Sequence, residues 1–300
     1  MTAADFHALA ARVFEAYDDG NYAAALAALN GGRSEHPDRD SDLTFWAACL
    51  RARLGETNEA LAELQDGIKR GLWWSPGALV DSDLDPVRST SRWKTILSHC
   101  EATAAERLTH RPGPLIRVAD HGRGTVIVIQ GARARYEEVS DTWQAAIPLE
   151  WTVVTPAATE PVMNGTWAWP HSIEDAARGL MDDLAEIEIE EPLVLGGFSI
   201  GSAIAAHLIN TSTLLAEALV VVSPASVEDF AELRRVANRG LPLLIVGGFS
   251  DTRVGKYRSL EADLKDNTNV VVELIDGLGH APPADLHLRV SRFLARVRGG

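Results

Sequence analysis

Residues 192–209 read PLVLGGFSIGSAIAAHLI, and they carry the strongest fold signal in the larger part of the chain. Its first seven residues form a continuous apolar run, which is typical of a parallel strand buried on both faces. The small and apolar residues from Ser202 to Ile209 predict a buried helix. Ser199 therefore lies at a tight strand-to-helix turn, where the residues two before and two after it must be very small. Gly197 and Gly201 occupy those positions.

The composition is that of a soluble globular protein with a large core. The chain has 300 residues, of which 46% are hydrophobic and 23% are charged. A net charge of -14 disfavours binding to nucleic acid or to anionic membranes. No apolar run is long enough to span a membrane, and the acidic first twenty residues do not resemble a secretory signal. We therefore expect a cytoplasmic protein.

The only two cysteines, Cys49 and Cys100, lie in helical patterns. They provide neither a disulfide framework nor a metal-ligand cluster. We expect both to be reduced thiols in the core and predict no metal site.

From about Leu115 to the end, apolar strand-like runs alternate with helical stretches. This alternation predicts right-handed crossovers and a mostly parallel sheet that is covered by helices on both faces. The sequence therefore predicts an α/β fold for residues 111–300. The predicted strands are Leu115–Ala119, Thr125–Gln130, Trp151–Pro156, Pro192–Phe198, Ala218–Ser223, Pro242–Gly248 and Asn269–Ile275.

The first 110 residues show helical patterning only, and Arg111–Pro114 reads as a linker. We therefore predict an all-α domain over residues 1–110. Within it, the segment GNYAAAL beginning at Gly20 recurs as GETNEAL beginning at Gly55, a period of about 35 residues. The pattern resembles the tetratricopeptide repeat, a helical hairpin that buries its apolar face by stacking on a neighbour. Such a domain binds a protein partner, associates with itself, or packs on the α/β domain.

Three residues that can form a catalytic triad follow the carboxyl ends of predicted strands. They are Ser199, Asp251 and His280, and ligands of parallel sheets bind at this edge. A hydroxyl needs a base to become a nucleophile, and an imidazole with a pKa near 6.5 is suited to that task. Asp251 would hold the ring in the required tautomer. Asp276, on the same loop as His280, is an alternative acid.

An oxyanion hole requires backbone N–H groups beside the nucleophile. Ile200 is expected to supply one, and Ala132 in the turn Gly131-Ala132-Arg133 is expected to supply the other. Arg133 is a candidate for binding an anionic group of the substrate, with surface exposure as the alternative. His121-Gly122-Arg123-Gly124 also resembles an oxyanion motif, but it precedes its strand and is interpreted as a turn.

The order Ser, Asp, His is that of the α/β-hydrolase family, which the chain resembles over about two thirds of its length. Within that family the chain is most similar to the phospholipase/carboxylesterase group, which includes acyl-protein thioesterases. The resemblance is carried by LVLGGFSIGSAIAAHL, by the loop PVMNGTWAWP and by PLLIVGGFSDTRV. Trp167 and Trp169 in that loop are candidates for lining an acyl or aromatic pocket. Gln130-Gly131 replaces the His-Gly that is common in the family.

The resemblance and the triad together imply a serine hydrolase that requires no cofactor and cleaves a small-molecule ester or thioester. Two alternatives stay open. A peptidase or amidase would use the same triad, and a scaffold protein would have an inactive hydrolase fold and use its helical repeats to recruit a partner.

Overall fold

The computed structural model describes residues 3–119, 122–225 and 227–297. His121 of the predicted turn lies outside these residues. The chain divides into two compact units. The first is the described part of Met1–His110 together with Pro161–Gly165, and the second is Arg111–Glu160 together with the described part of Thr166–Gly300.

The first unit is built from α-helices joined by short turns and three 3-10 segments. The helices are α1 (Ala3–Asp18), α2 (Tyr22–Gly32), α3 (Asp40–Arg53), α4 (Thr57–Lys69), α5 (Pro76–Leu79) and α6 (Ser91–Thr109). Helix α1 packs on α2, and α3 packs on α4. The core of this unit includes a cluster of apolar residues from α1, α2 and α3, among them Leu9, Leu29 and Leu43.

The sequence repeat corresponds to two helical hairpins. Gly20 lies between α1 and α2 with a φ of +72°, and Gly55 lies between α3 and α4 with a φ of +80°. Each glycine thus supplies the left-handed residue that ends one helix and redirects the chain. The Ala-Leu pair that follows each glycine is buried in the second helix of its hairpin. The likeness to tetratricopeptide repeats rests on these two hairpins.

The strands of the chain are short and largely buried. They are β1 (Leu115–Arg117), β2 (Thr125–Ile129), β3 (Arg133–Arg135), β4 (Thr152–Thr155), β5 (Glu160–Met163), β6 (Thr166–Ala168), β7 (Leu193–Phe198), β8 (Ala218–Val222), β9 (Leu243–Gly248) and β10 (Val270–Ile275). Seven of them form one sheet in the order β1-β4-β2-β7-β8-β9-β10. Strand β1 is antiparallel to β4, and the other pairs are parallel. The predicted mostly parallel sheet is confirmed, and each predicted strand ends within two residues of the observed one.

Helices cover both faces of this sheet. They are α7 (Tyr136–Ala146), α8 (Ile173–Leu184), α9 (Ile200–Asn210), α10 (Val227–Asn238), α11 (Val254–Leu264) and α12 (Leu286–Val297). Alternate residues of each strand pack on opposite faces, so that Ile127 contacts the layer of α8 to α11 and Val128 contacts the layer of α7 and α12. This two-sided burial explains the continuous apolar runs of the strands.

The stretch PVMNGTWAWP was expected to be a loop, and this expectation is wrong. It contains most of β5 and all of β6, joined by Asn164-Gly165 with Gly165 at a φ of +72°. Strand β6 pairs antiparallel with β3 in the second unit. The Asn-Gly pair is a common turn between strands, and it is the sequence signal that the loop prediction overlooked.

Met163 of β5 belongs to the first unit, where it forms an isolated bridge with Trp74. The Trp73 N–H donates to Asn164 Oδ1 at 3.1 Å, and Asn164 Nδ2 donates to the Gly71 carbonyl at 3.2 Å. The first unit thus includes a short piece of chain from far along the sequence.

Within the described ranges, none of the helices combines the length and apolar character needed to cross a membrane.

Candidate active site

Close backbone packing holds the turn after β7. Ser199 has a φ of 54° and a ψ of -127°, a region that costs a non-glycine residue about 1–3 kcal/mol. A Cβ on Gly197 would lie 2.5 Å from the backbone of Gly201, and a Cβ on Gly201 would lie 2.2 Å from the Ile129 carbonyl oxygen. Neither position can accept a side chain. The Ser199 N–H donates to the Val222 carbonyl at 3.0 Å, which ties the turn to β8.

His280 lies in the loop between β10 and α12 and faces the serine. Its Nε2 lies 3.0 Å from Ser199 Oγ, and its Nδ1 lies 3.0 Å from Asp251 Oδ2. The Phe198 ring packs against the imidazole with a centroid separation of 5.2 Å. Since Nδ1 donates to the carboxylate, Nε2 is left to accept the serine proton. The three predicted residues therefore form one continuous chain of hydrogen bonds.

The Asp251 side chain is fully buried after β9. Burial raises its pKa, but hydrogen bonds from His280, from the Arg253 backbone N–H and from Tyr257 outweigh this effect and lower the pKa overall. Burial, followed by the hydrogen bond to Asp251, raises the pKa of Tyr257, so the phenol stays a donor. The result is an ionised, well-oriented carboxylate behind the imidazole.

Asp276 makes no hydrogen bond with His280 among the described residues. Its position on the same loop does not bring its carboxylate to the ring nitrogen that Asp251 occupies.

The turn after β2 approaches the nucleophile closely. A Cβ on Gly131 would lie 3.0 Å from the Phe198 ring and 3.5 Å from Ser199 Cβ. Within the described residues, neither the Ala132 N–H nor the Ile200 N–H donates to another group of the protein. These N–H groups follow β2 and β7, the neighbouring strands where the direction of the strand order reverses. Ligands of parallel sheets bind at such a point.

The strand order, the single antiparallel edge strand and the serine turn after β7 together decide the fold. The chain has the α/β-hydrolase fold. Residues 5–107 match the family described as "A/B hydrolase-like, N-terminal domain". This match covers the helical region.

The chain is similar to solved structures that cover nearly all of it and to others that cover about three fifths of it. An uncharacterized protein from Bacillus cereus ATCC 10987 is 16% identical, with a TM-score of 0.50, and the match covers 97% of this chain and 99% of that one. Acyl-protein thioesterase 2 from Zea mays is 17% identical, with a TM-score of 0.49 and coverage of 63% and 100%. TT1662 from Thermus thermophilus is 19% identical, with a TM-score of 0.46 and coverage of 62% and 94%. No curated protein sequence matches the chain significantly.

Gln130 supports the turn that carries Ala132 in this hydrolase fold. It is fully buried, and its Nε2 donates to the Trp167 carbonyl at 3.0 Å. In return, Trp169 Nε1 donates to the Gln130 carbonyl at 3.0 Å. The two bonds connect the end of β2 to the segment that contains β6. A buried amide can thus order the turn where a histidine is common in the family.

The candidate substrate contacts differ in their exposure. Trp167 and Trp169 are only 8% and 6% exposed and pack in the core beneath α8 and α9. Their observed contacts brace Gln130, and a role in lining an acyl pocket stays a prediction. Arg133 is exposed at the start of β3, and its binding to an anionic substrate group also stays a prediction.

The helical unit contains a separate cavity of about 490 Å³, lined mainly by arginines and acidic residues. Arg33 pairs with Asp40 and with Glu63, each at 3.1 Å, and Arg70 pairs with Asp40 at 2.8 Å. Because these charges largely neutralise one another, the cavity does not indicate a class of ligand. A protein partner or self-association of the helical unit stays a prediction.

Proposed function

We propose that the chain is a serine hydrolase that cleaves a carboxylic ester or thioester. The observation that carries this proposal is the hydrogen-bonded chain from Ser199 through His280 to Asp251, with 3.0 Å at each step. Its members come from three different loops, and the serine backbone is strained where it presents its hydroxyl. Such strain is common at catalytic positions.

The proposed reaction begins when Ser199 Oγ attacks the acyl carbonyl carbon and passes its proton to His280 Nε2. The carbonyl oxygen becomes an oxyanion that accepts hydrogen bonds from the Ala132 and Ile200 N–H groups. His280 then donates its proton to the leaving alcohol or thiol, and the carbon–oxygen or carbon–sulfur bond breaks. This leaves an acyl-enzyme on Ser199.

Water completes the cycle. A water molecule attacks the acyl-enzyme and passes a proton to His280. His280 then returns that proton to Ser199 Oγ as the carboxylic acid is released. Because His280 must be neutral in both attacks, the rate is expected to fall as the pH drops through the range in which imidazole becomes charged. A rate that is constant from neutral to acidic pH would contradict the role of His280.

The proposal is tested with a fluorophosphonate probe, which reacts with activated serines. We expect the parent and Ser212→Ala to be labelled, and Ser199→Ala to remain unlabelled. Ser212 is a matched control because it is an exposed serine that also has a positive φ, 56°. Absence of labelling in both the parent and Ser212→Ala would favour the scaffold alternative.

A second measurement distinguishes the ester reaction from the peptidase alternative. Hydrolysis is followed for p-nitrophenyl esters of increasing acyl length, for a matched thioester and for peptide anilides. We expect turnover of the esters and the thioester to exceed that of the anilides. Faster cleavage of an anilide than of its matched ester would assign the triad to amide hydrolysis.

A further inference from the structure

The buried carboxylate of Asp251 is held at both oxygens. Oδ2 accepts the bonds from His280 and from the Tyr257 hydroxyl, the latter at 2.7 Å. Oδ1 accepts the Arg253 backbone N–H at 2.9 Å and the Arg253 guanidinium at 3.3 Å. A cationic side chain therefore lies directly against the acid of the proposed triad.

The loop after β8 fixes this cation and the phenol. Arg253 Nε donates to the Ala225 carbonyl at 2.9 Å, and the Tyr257 hydroxyl also contacts the Pro224 carbonyl at 3.1 Å. Two adjacent carbonyls thus orient the two side chains that contact Asp251. With hydrogen bonds to the Ala225 carbonyl and to Asp251, the guanidinium has a defined position although its side chain is 33% exposed.

The same guanidinium lies close to the base. Arg253 NH1 is 3.5 Å from His280 Nδ1. Since Nδ1 already donates its proton to Asp251, and a guanidinium has only donors, these two nitrogens cannot form a hydrogen bond. Their proximity brings two positive charges together whenever the imidazole is protonated. Asp251 opposes this repulsion by attracting both cations.

We propose that Arg253 is a positioning residue for the Asp251–His280 pair and that its charge disfavours the protonated imidazole. It fixes Asp251 Oδ1, and its positive charge opposes a second positive charge on the neighbouring imidazole. This inference rests on the proposed hydrolase function, because it assigns a purpose to the neutral base.

Ser199 and Tyr257 also contact the pair, and Asp229 contacts the adjoining loop. Ser199 contacts His280 on its far nitrogen, and Tyr257 of α11 contacts Asp251 as a neutral donor. Asp229 of α10 is buried behind the loop and accepts the Ala225 N–H at 2.6 Å. Among the described residues, Arg253 is the cation that contacts both members of the pair.

The test compares Arg253→Met, which removes the charge but keeps the aliphatic stem, with Arg253→Lys, which keeps the charge. Ester hydrolysis is measured against pH. We expect the midpoint of the acid limb to move to higher pH by about one unit in the methionine variant. In the lysine variant it should move by less than half as much. Above both midpoints, kcat should fall about 2–10-fold in each variant with little change in KM.

Arg258→Met is the matched control, because Arg258 is an exposed arginine in helix α11, which begins directly after Arg253, and its guanidinium stacks on Phe249. Its pH profile should coincide with that of the parent. The shift in Arg253→Met should also shrink as salt is raised, since the guanidinium is partly exposed and its charge is screened.

A second readout separates this inference from the proposed function. The His280 ring is titrated by NMR in the parent and in the variants, with His280→Gln identifying its signals. If the parent hydrolyses no ester or thioester but the titration midpoint still moves in Arg253→Met, the function is refuted and the charge effect survives. Equal midpoints in the parent and Arg253→Met, or equal shifts in the lysine and methionine variants, would overturn the inference.

Discussion

Replacing the proposed nucleophile tests whether the turn at Ser199 stores strain. Ser199→Gly and Ser199→Ala both remove the hydroxyl and its bond to His280, so they differ chiefly in the presence of a Cβ. With φ at 54° and ψ at -127°, the Cβ of alanine keeps the strain and glycine releases it. We therefore expect the inactive glycine variant to be more stable than the inactive alanine variant.

The size of the difference follows from two opposing effects. The strained backbone costs about 1–3 kcal/mol with a Cβ present, whereas glycine gives up about 0.4–1 kcal/mol through the greater freedom of its unfolded chain. The free energy of unfolding of the glycine variant should thus exceed that of the alanine variant by roughly 1 kcal/mol. For a unit of this size that is a rise in Tm of about 2–4 °C.

Thermal and urea unfolding of the full chain, followed by circular dichroism, measure this difference. Ser202 provides the opposite control because it lies within helix α9, where glycine should be the less stable replacement by about 1 kcal/mol. Ser212, with a φ of 56°, should follow the order expected at Ser199. The strain argument is refuted if the alanine variant at Ser199 is as stable as the glycine variant or more stable, while at Ser202 glycine is the less stable replacement as expected.

Three further predictions concern the acid, the oxyanion turn and the helical unit. Asp251→Asn should lower kcat for an ester about 10³–10⁴-fold and Asp276→Asn less than about 2-fold; a comparable loss in the second would move the acid role to Asp276. Gly131→Ala should lower kcat about 10–100-fold at nearly constant KM because the added Cβ displaces an oxyanion donor, and a change confined to KM would contradict this placement. In the helical unit, burial, followed by the hydrogen bond to Asp83, raises the pKa of Tyr17 to about 12. The stabilising effect of the Tyr17 hydroxyl is therefore complete below about pH 10 and is lost as the pH rises toward 12. Urea unfolding from pH 9 to 12 should therefore show a steeper loss of stability in the parent than in Tyr17→Phe, and parallel curves would refute this.

The sheet could be predicted from the sequence because its strands are buried on both faces. A strand such as Leu193–Phe198 must then be apolar at every position, so both the strand and its first and last residues can be predicted from the sequence. The short strands Arg133–Arg135 and Thr166–Ala168 lack this signal. Each has three residues and includes polar side chains, so only their pairing in space identifies them as strands.

The candidate site was predictable in its residue types and less so in its supporting contacts. Ser199, Asp251 and His280 could be proposed because each follows the carboxyl end of a strand. The support from Gln130 depends on a carbonyl 37 residues later in the chain, whose position is set by the register of β3 and β6. Tyr257 is only six residues from Asp251, but the turn between them decides whether a helix of that sequence directs the phenol toward the carboxylate.

The position of His280 follows from the way its loop returns across the sheet. Strands β7 and β10 are separated by three strand spacings, about 14 Å, yet the imidazole is 3.0 Å from Ser199. The loop therefore bends back over the ends of β9 and β8. Over β9, a Cβ on Gly248 would lie 1.8 Å from the Leu278 carbonyl oxygen. Over β8, Ser223 Oγ donates to the Ala281 carbonyl at 3.4 Å. These two contacts involve Leu278 and Ala281, which lie on either side of His280 in the loop. The lack of a side chain at Gly248 and the hydroxyl of Ser223 therefore help to set the position of His280 relative to Ser199.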